Sequence, residues 1–181
     1  MNLDAQHIMI DIETLGTGSR SAILQIGAVV FQPRSASVAE SFSVNVNLVS
    51  CVLAGLEIDA ATAEWWRSQS DVAKLSLLDP AAVPLQAALA QLSTFVGVGR
   101  PIWARGPHFD IVILENAYRA VDAKVPWRYS AVRDSRTVLD VAQIVAPIRD
   151  AEFEPAHVAL GDARYEARCV SHALLHLTRD R

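Results

Sequence analysis

Asp11 and Glu13 close the apolar segment HIMIDIE near the start of this 181-residue chain. Residues two apart on a strand point to the same face, so the two carboxylates should stand side by side. Such a pair repels itself and is costly to dehydrate, and a cation between the two removes both penalties. The spacing alone is not specific, because Asp150-Ala151-Glu152 repeats it. That second copy lies in a polar stretch between Pro147 and Pro155 and reads as a solvated loop. Asp110 is a third carboxylate of interest, since it shares a helical face with Leu114, Ala117 and Val121 and needs a partner there. Its simpler reading is stabilisation of a helix first turn. His157 and Asp162 stand five apart where the last helix begins. That is ~140° around a helix, so His157 must sit in the first turn or the loop before it to reach Asp162. Taken singly, this pair reads as a surface histidine and a first-turn acid. Cations held by Asp and Glu alone would be hard ones, Mg²⁺ or Mn²⁺.

The elements that must position these residues can be read from periodicity. His7 to Ile12, Ala22 to Phe31 and Ser41 to Leu48 read as strands of a meander, with turns at Gly16–Ser19 and Pro33–Ser35. Helical patterns follow over Ala60 to Ser68 and Pro84 to Val98, the second carrying Leu85, Leu89, Leu92 and Val96 on one stripe. Pro101 to Ala104 reads as a short strand ended by Gly106-Pro107. Phe109 to Val121, Arg136 to Val145 and Ala156 to Thr178 read as further helices. Three strands followed by alternating helices and strands imply an α/β sheet flanked by helices, in one domain over 1–181.

Composition narrows the function classes. Hydrophobic residues make up 51% and charged residues 20%, an ordinary globular balance. The formal net charge of −4 argues against a basic face gripping long duplex DNA. A nucleic-acid substrate would then need metal ions to help hold phosphate, and a short contact at a chain end. Cys51 and Cys169 have no zinc or C-x-x-C spacing and read as buried thiols in a reducing compartment. The start MNLDAQHIMIDIE lacks the features of a signal peptide, and no apolar run approaches ~18 residues. A soluble, cytoplasmic protein with no membrane partner is the expectation.

Together, the D-x-E ending the first strand, the F-D opening a middle helix and the H-x-x-x-x-D before the last helix resemble the DEDDh 3′–5′ exonucleases. This family includes polymerase proofreading domains, RNase T and oligoribonuclease. The segments IMIDIETLG and AILQIGAVVF are similar to its first motif and partner strand. WARGPHFDIVILENAY, PWRYSAVRDSRTVLDVA and the pair Trp65–Trp66 are similar to its small DexA-like or Rv2179c-like branch. A sister class carries Tyr in the third motif; here Tyr165 lies after Asp162, which favours the histidine class. The stretch from Pro147 to His157 is short and polar, unlike that of proofreading domains, so their substrates cannot be borrowed.

The resemblance implies a ribonuclease H-like mixed sheet, a three-strand meander plus parallel strands, flanked by helices. It implies two divalent cations, Mg²⁺ or Mn²⁺, on Asp11, Glu13, Asp110 and Asp162, with His157 as general base and single-stranded RNA or DNA 3′ ends as substrate. Thr14 and Leu15 would contact the terminal nucleotide. One of Trp65 and Trp66 could stack on a base while the other packs inside. Arg136 could reach phosphate, whereas Asp134 reads better as a helix cap or arginine partner. His7, His108, His172 and His176 read as structural. A homodimer is an expectation of the family. The rival readings are a catalytically inactive nucleic-acid-binding domain on the same fold, and a plain α/β domain with coincidental acids.

Overall fold

The computed structural model describes residues 2–77 and 81–178. Five strands form one mixed sheet in the order β3-β2-β1-β4-β5. Strand β1 (His7–Thr14) pairs antiparallel with β2 (Ile23–Gln32), which pairs antiparallel with β3 (Ser37–Asn45). On its other side β1 pairs parallel with β4 (Ile102–Ala104), and β4 with β5 (Val132–Asp134). The central strand is covered on both faces and is therefore a nearly continuous apolar run.

Helices α1 (Leu48–Leu53), α2 (Ala60–Arg67) and α3 (Asp71–Ser76) follow the meander. Then come α4 (Leu85–Val96), α5 (Asp110–Ala120), α6 (Ser135–Ala142) and α7 (Ala159–Thr178). Ile8, Ile10 and Ile12 face one way, into the larger core with Leu89, Leu92 and Leu114. Met9 faces the other way, against Ala163, Ala167, Val170 and Leu174 of α7. Strand alternation therefore aims Asp11 and Glu13 toward the α7 face, at the C-terminal end of β1.

Several boundaries depart from the periodicity. Helix α7 begins at Ala159 rather than Ala156, because His157 has φ 58°, outside the right-handed helical region. Helix α6 stops at Ala142, where Gln143 turns left-handed at φ 50°. The third strand begins earlier and ends earlier than its alternating stretch, and the residues after it form α1, capped by the Asn47 side chain on Ser50 N–H. Arg133 and Asp134, expected before a helix, form the short edge strand β5, where pairing with β4 overrides a weak local signal.

Candidate active site

Asp11, Glu13, Asp110, His157 and Asp162 line a single cavity of about 220 Å³, together with Ile12, Arg105, Phe109 and Arg136. Four different elements contribute. Asp11 and Glu13 come from β1. Asp110 opens α5 and accepts a hydrogen bond from the Ile12 backbone N–H at 3.3 Å, which holds it beside β1. Asp162 lies in the first turn of α7, and His157 in the loop before it.

Two glycines let α7 come this close. Gly27 is paired with Asp11 in the β1–β2 ladder, and a Cβ there would lie 2.2 Å from the Ala159 carbonyl carbon. Gly161 would carry a Cβ 2.4 Å from the Pro155 carbonyl oxygen. The start of α7 is also capped from the sheet: Ala159 N–H donates to Gln25 Oε1 at 2.8 Å, and Gln25 Nε2 donates to Asn45 Oδ1 at 2.7 Å. The loop closes on itself where His157 N–H donates to Asp162 Oδ2 at 2.7 Å.

The electrostatics are those of crowded acids. Burial, followed by the charges of Asp110, Glu13, Asp162 and Glu166, holds Asp11 well above the usual carboxylate range. Burial and the charges of Asp162 and Asp110 push Glu13 up to about 8. Burial pushes Asp110 up to about 7, against the backbone N–H groups of Ile12 and Asp110 and the charge of Arg136, which pull it down. These groups cannot all ionise without countercharge. Oxygen atoms of Glu13 and Asp162 and a ring nitrogen of His157 lie within 4.8 Å of one another, close enough to share one ion. The donor set fits hard divalent cations: carboxylate oxygens dominate, and no thiol contributes.

Some of the positioning groups carry no sequence signal as strong as the acids. Arg149 Nη2 sits 2.7 Å from Asp162 Oδ1 and stacks over Tyr165, 4.1 Å from its ring centre. Glu166, one turn after Asp162, is buried; it takes Arg105 Nη1 at 2.6 Å and the Ser135 hydroxyl at 3.1 Å. A carboxylate between Ala163 and Ala167 in an apolar stripe is the signal that could have found it. Arg105 has only its place after β4 to mark it.

A second cavity of about 450 Å³ adjoins the first, sharing Ile12, Glu13 and Phe109, and is lined further by Thr14, Asp59, Thr62, Trp65 and Trp66. Trp66 is 6% exposed, and its indole N–H donates to the Thr14 carbonyl at 2.9 Å. Trp65 is 44% exposed and meets the His157 ring edge-on, with centres 5.0 Å apart. Leu15 is half-buried against the larger core and lines neither cavity. Arg136 lines the acidic cavity. Asp134 caps α6, accepting from Arg136 N–H and the Thr137 hydroxyl, and also takes Gly106 N–H at 3.2 Å. His7 is buried and accepts Trp103 Nε1–H at 3.0 Å. Asp150 and Glu152 lie in an exposed turn.

A five-stranded mixed sheet of this order, flanked by helices, matches the ribonuclease H-like fold of DEDDh exonuclease structures. Residues 6–174 match the Rv2179c-like 3′–5′ exoribonuclease domain, and the chain belongs to that family of nuclease hydrolases. It is a 3′–5′ exonuclease domain, and the reading as an inactive binding module is not favoured. Among solved structures, the nuclease domain of 3′hExo, a DEDDh member bound to rAMP, aligns with TM-score 0.58 at 12% identity over 93% of this chain and 91% of that chain. E. coli exonuclease I in complex with a dA16 oligonucleotide aligns with TM-score 0.59 at 16% identity, over 98% of this chain and 42% of that one. Exonuclease I from Methylocaldum szegediense gives 0.58 at 12% identity, over 98% and 41%. These likenesses concern the fold, and this chain spans about two fifths of the exonuclease I chains. No curated protein matches the chain in sequence. Among the described residues, no helix is long and apolar enough to cross a membrane.

Proposed function

We propose that this chain removes nucleotides one at a time from the 3′ end of single-stranded RNA, releasing nucleoside 5′-monophosphates. The observation that carries the proposal is the single cavity lined by Asp11, Glu13, Asp110, His157 and Asp162, opening into the cleft beside Trp65. RNA is favoured over DNA because the family to which the chain belongs is one of exoribonucleases. In this reading Asp11, Glu13, Asp110 and Asp162 hold two divalent cations, Mg²⁺ or Mn²⁺. When bound, such cations neutralise a phosphodiester and its leaving oxygen and make a water molecule more acidic.

The remaining work falls to side chains of the chain itself. His157 accepts the proton of the attacking water through its imidazole, which the φ 58° loop and the edge of Trp65 hold at the mouth of the cavity. Trp65 offers a half-exposed ring on which the terminal base can stack, while Trp66 shapes the cleft from behind through its bond to Thr14. Thr14 borders the sugar side of the cleft. Leu15 supports that wall through its backbone, which takes Asp59 N–H at 2.7 Å. Arg136, at the rim, meets phosphate. The free buried thiols of Cys51 and Cys169 fit a reducing compartment such as the cytoplasm.

A timed digest of 3′-labelled and 5′-labelled RNA and DNA oligomers, with Mg²⁺ or Mn²⁺, tests the proposal. Immediate release of the 3′ label as mononucleotide, faster from RNA, is the expected result. Equal cutting of circular and linear single strands would refute the exonuclease reading, and equal rates on RNA and DNA would refute the preference.

A further inference from the structure

The arginines of this acidic protein are unevenly matched. Eight ion pairs join the described residues, and none of them includes Arg100, Arg128 or Arg133. All three line one cleft of about 420 Å³, between the Val96–Ile102 segment and the Pro126–Arg133 segment. No carboxylate lines it. Glu115, behind Trp127, is already engaged by the Trp127 indole N–H and by Arg119, and Glu40 lines an adjoining cavity that shares Gly97 and Arg100.

The cleft lies at the N-terminal ends of β4 and β5, whereas the acidic cavity lies beyond the C-terminal ends of β1 and β4. The three-residue strand β4 alone separates them by about 10 Å. The guanidiniums retain donors. Arg100 gives one N–H to the Phe95 carbonyl and one to Gln6 Oε1. Arg133 spends one nitrogen on the carbonyls of Ser130 and Val132. A guanidinium has five N–H donors, so about three remain on each. The floor is apolar, built from Val96, Ile102 and the buried ring of Trp127. Tyr129, 92% exposed, falls in sequence between Arg128 and Ser130 but does not itself line the cleft. Gly97 and Gly99 leave the opposite rim uncovered, with nothing within 4 Å of where a Cβ would be.

Planar cations with spare donors over an apolar floor suit a phosphate group attached to a base-bearing body. We propose that this cleft is a second anion site, separate from the acidic cavity, which binds a phosphate group of a single-stranded nucleic acid or of a free nucleotide. This inference does not depend on how the acidic cavity is read. It would offset the acidic balance at a place where no metal ion is needed.

The test is nuclear magnetic resonance of the arginine Nε–H groups in the ¹⁵N-labelled full chain, in EDTA, so that the acidic cavity cannot hold phosphate through a metal. The probes are pyrophosphate, adenosine 5′-monophosphate and a single-stranded twelve-nucleotide RNA, at low and at raised salt. Signals of Arg100, Arg128 and Arg133 should move together, and the midpoint should weaken with salt. Tighter binding of the RNA with the steeper salt dependence identifies backbone phosphate; equal binding of RNA and mononucleotide identifies a terminal or free phosphate. Arg128→Gln with Arg133→Gln should weaken the midpoint about tenfold or more, while Arg164→Gln on α7 leaves it unchanged. If none of the three probes moves these signals, or the double variant binds as the parent does, the site does not exist. The double variant must melt as the parent does in EDTA, which shows that the fold survives.

Discussion

The backbone of Ala159 occupies the space that a side chain on Gly27 would fill. A Cβ at Gly27 would lie 2.2 Å from the Ala159 carbonyl carbon and 2.4 Å from its oxygen. Gly27 is paired with Asp11, so this approach sets how near the start of α7, and with it Asp162, comes to the β1 carboxylates. Backbone cannot swing away as a flexible side chain can, so α7 must move. Gly27→Ala should therefore cost about 1–3 kcal/mol, lowering Tm by about 2–4 °C per kcal/mol. It should also lose the Mn²⁺-induced rise in Tm, because Asp162 is displaced. Gly18→Ala, where nothing lies within 4 Å, should do neither. Equal Tm and equal Mn²⁺ response in the two variants would show that the contact is unimportant.

The acidic cluster should make stability without metal depend on pH. A carboxyl whose folded pKa lies above its unfolded value binds more protons in the fold. Its contribution is then unfavourable once pH exceeds the unfolded pKa, and grows until pH passes the folded one. Asp11 is raised, Glu13 stands at about 8 and Asp110 at about 7, so the loss runs from the ordinary carboxylate range up to about pH 8. Buried His7, whose pKa burial lowers, pushes the other way near neutrality, and comparison with a variant cancels it. In EDTA, Asp11→Asn should melt above the parent at pH 8 and by a smaller margin at pH 5, while having no measurable nuclease activity. Added Mg²⁺ should raise the parent and leave the variant nearly still. Parallel Tm curves for the two proteins across this range would contradict the electrostatic account.

Trp65 and Trp66 are adjacent, yet their substitutions should separate cleanly. Trp66 is buried with its indole bonded to Thr14, so Trp66→Ala should cost about 3–5 kcal/mol of stability. Trp65 is 44% exposed beside His157, so Trp65→Ala should spare stability and raise KM. Loss of one stacked base is worth about 1–3 kcal/mol. Trp65→Phe should restore most of the affinity. Melting curves and KM measured on the same preparations decide it; a rise in KM for Trp66→Ala alone would reverse the assignment.

Much of this arrangement is legible in the sequence, for identifiable reasons. The short, β-prone apolar run marks β1 as a buried strand, and strand geometry then puts Asp11 and Glu13 on one face, the face on which Met9 packs against α7. The first-turn place of Asp110 is legible from the helix that follows it. Short elements are not: β5 is three residues long and α1 six, too few for a period to emerge. The left-handed turn at His157 is equally hidden, since a histidine there gives none of the warning a glycine would. Arg149 and Arg105 are the least legible of all. Their contacts to Asp162 and Glu166 arise from tertiary approach across loops whose own text has no helix or strand period.

His157 separates two roles that geometry alone allows. Its ring nitrogen lies near the oxygens of Glu13 and Asp162, so it could ligate a cation or accept a proton. A positioned general base contributes about 10²–10⁴-fold in rate. As a base, His157 should lose about that much in the His157→Ala variant, with the Mn²⁺-induced rise in Tm nearly intact. As a ligand, it should lose Mn²⁺ affinity in step with activity. The residue also holds the left-handed backbone at φ 58°, which asparagine tolerates better than alanine. His157→Asn therefore keeps the loop, and with it the backbone N–H bond to Asp162, while still removing the imidazole. If the imidazole is the base, alanine and asparagine variants should be slow alike. If the loop conformation is what matters, the asparagine variant should recover and the alanine variant should not. Asp162→Ala, which removes a proposed metal ligand and the anchor of the loop together, should lose both turnover and the Mn²⁺ response. Turnover and Mn²⁺ titration of Tm on all three variants settle the role, and an asparagine variant with full activity would end the general-base assignment.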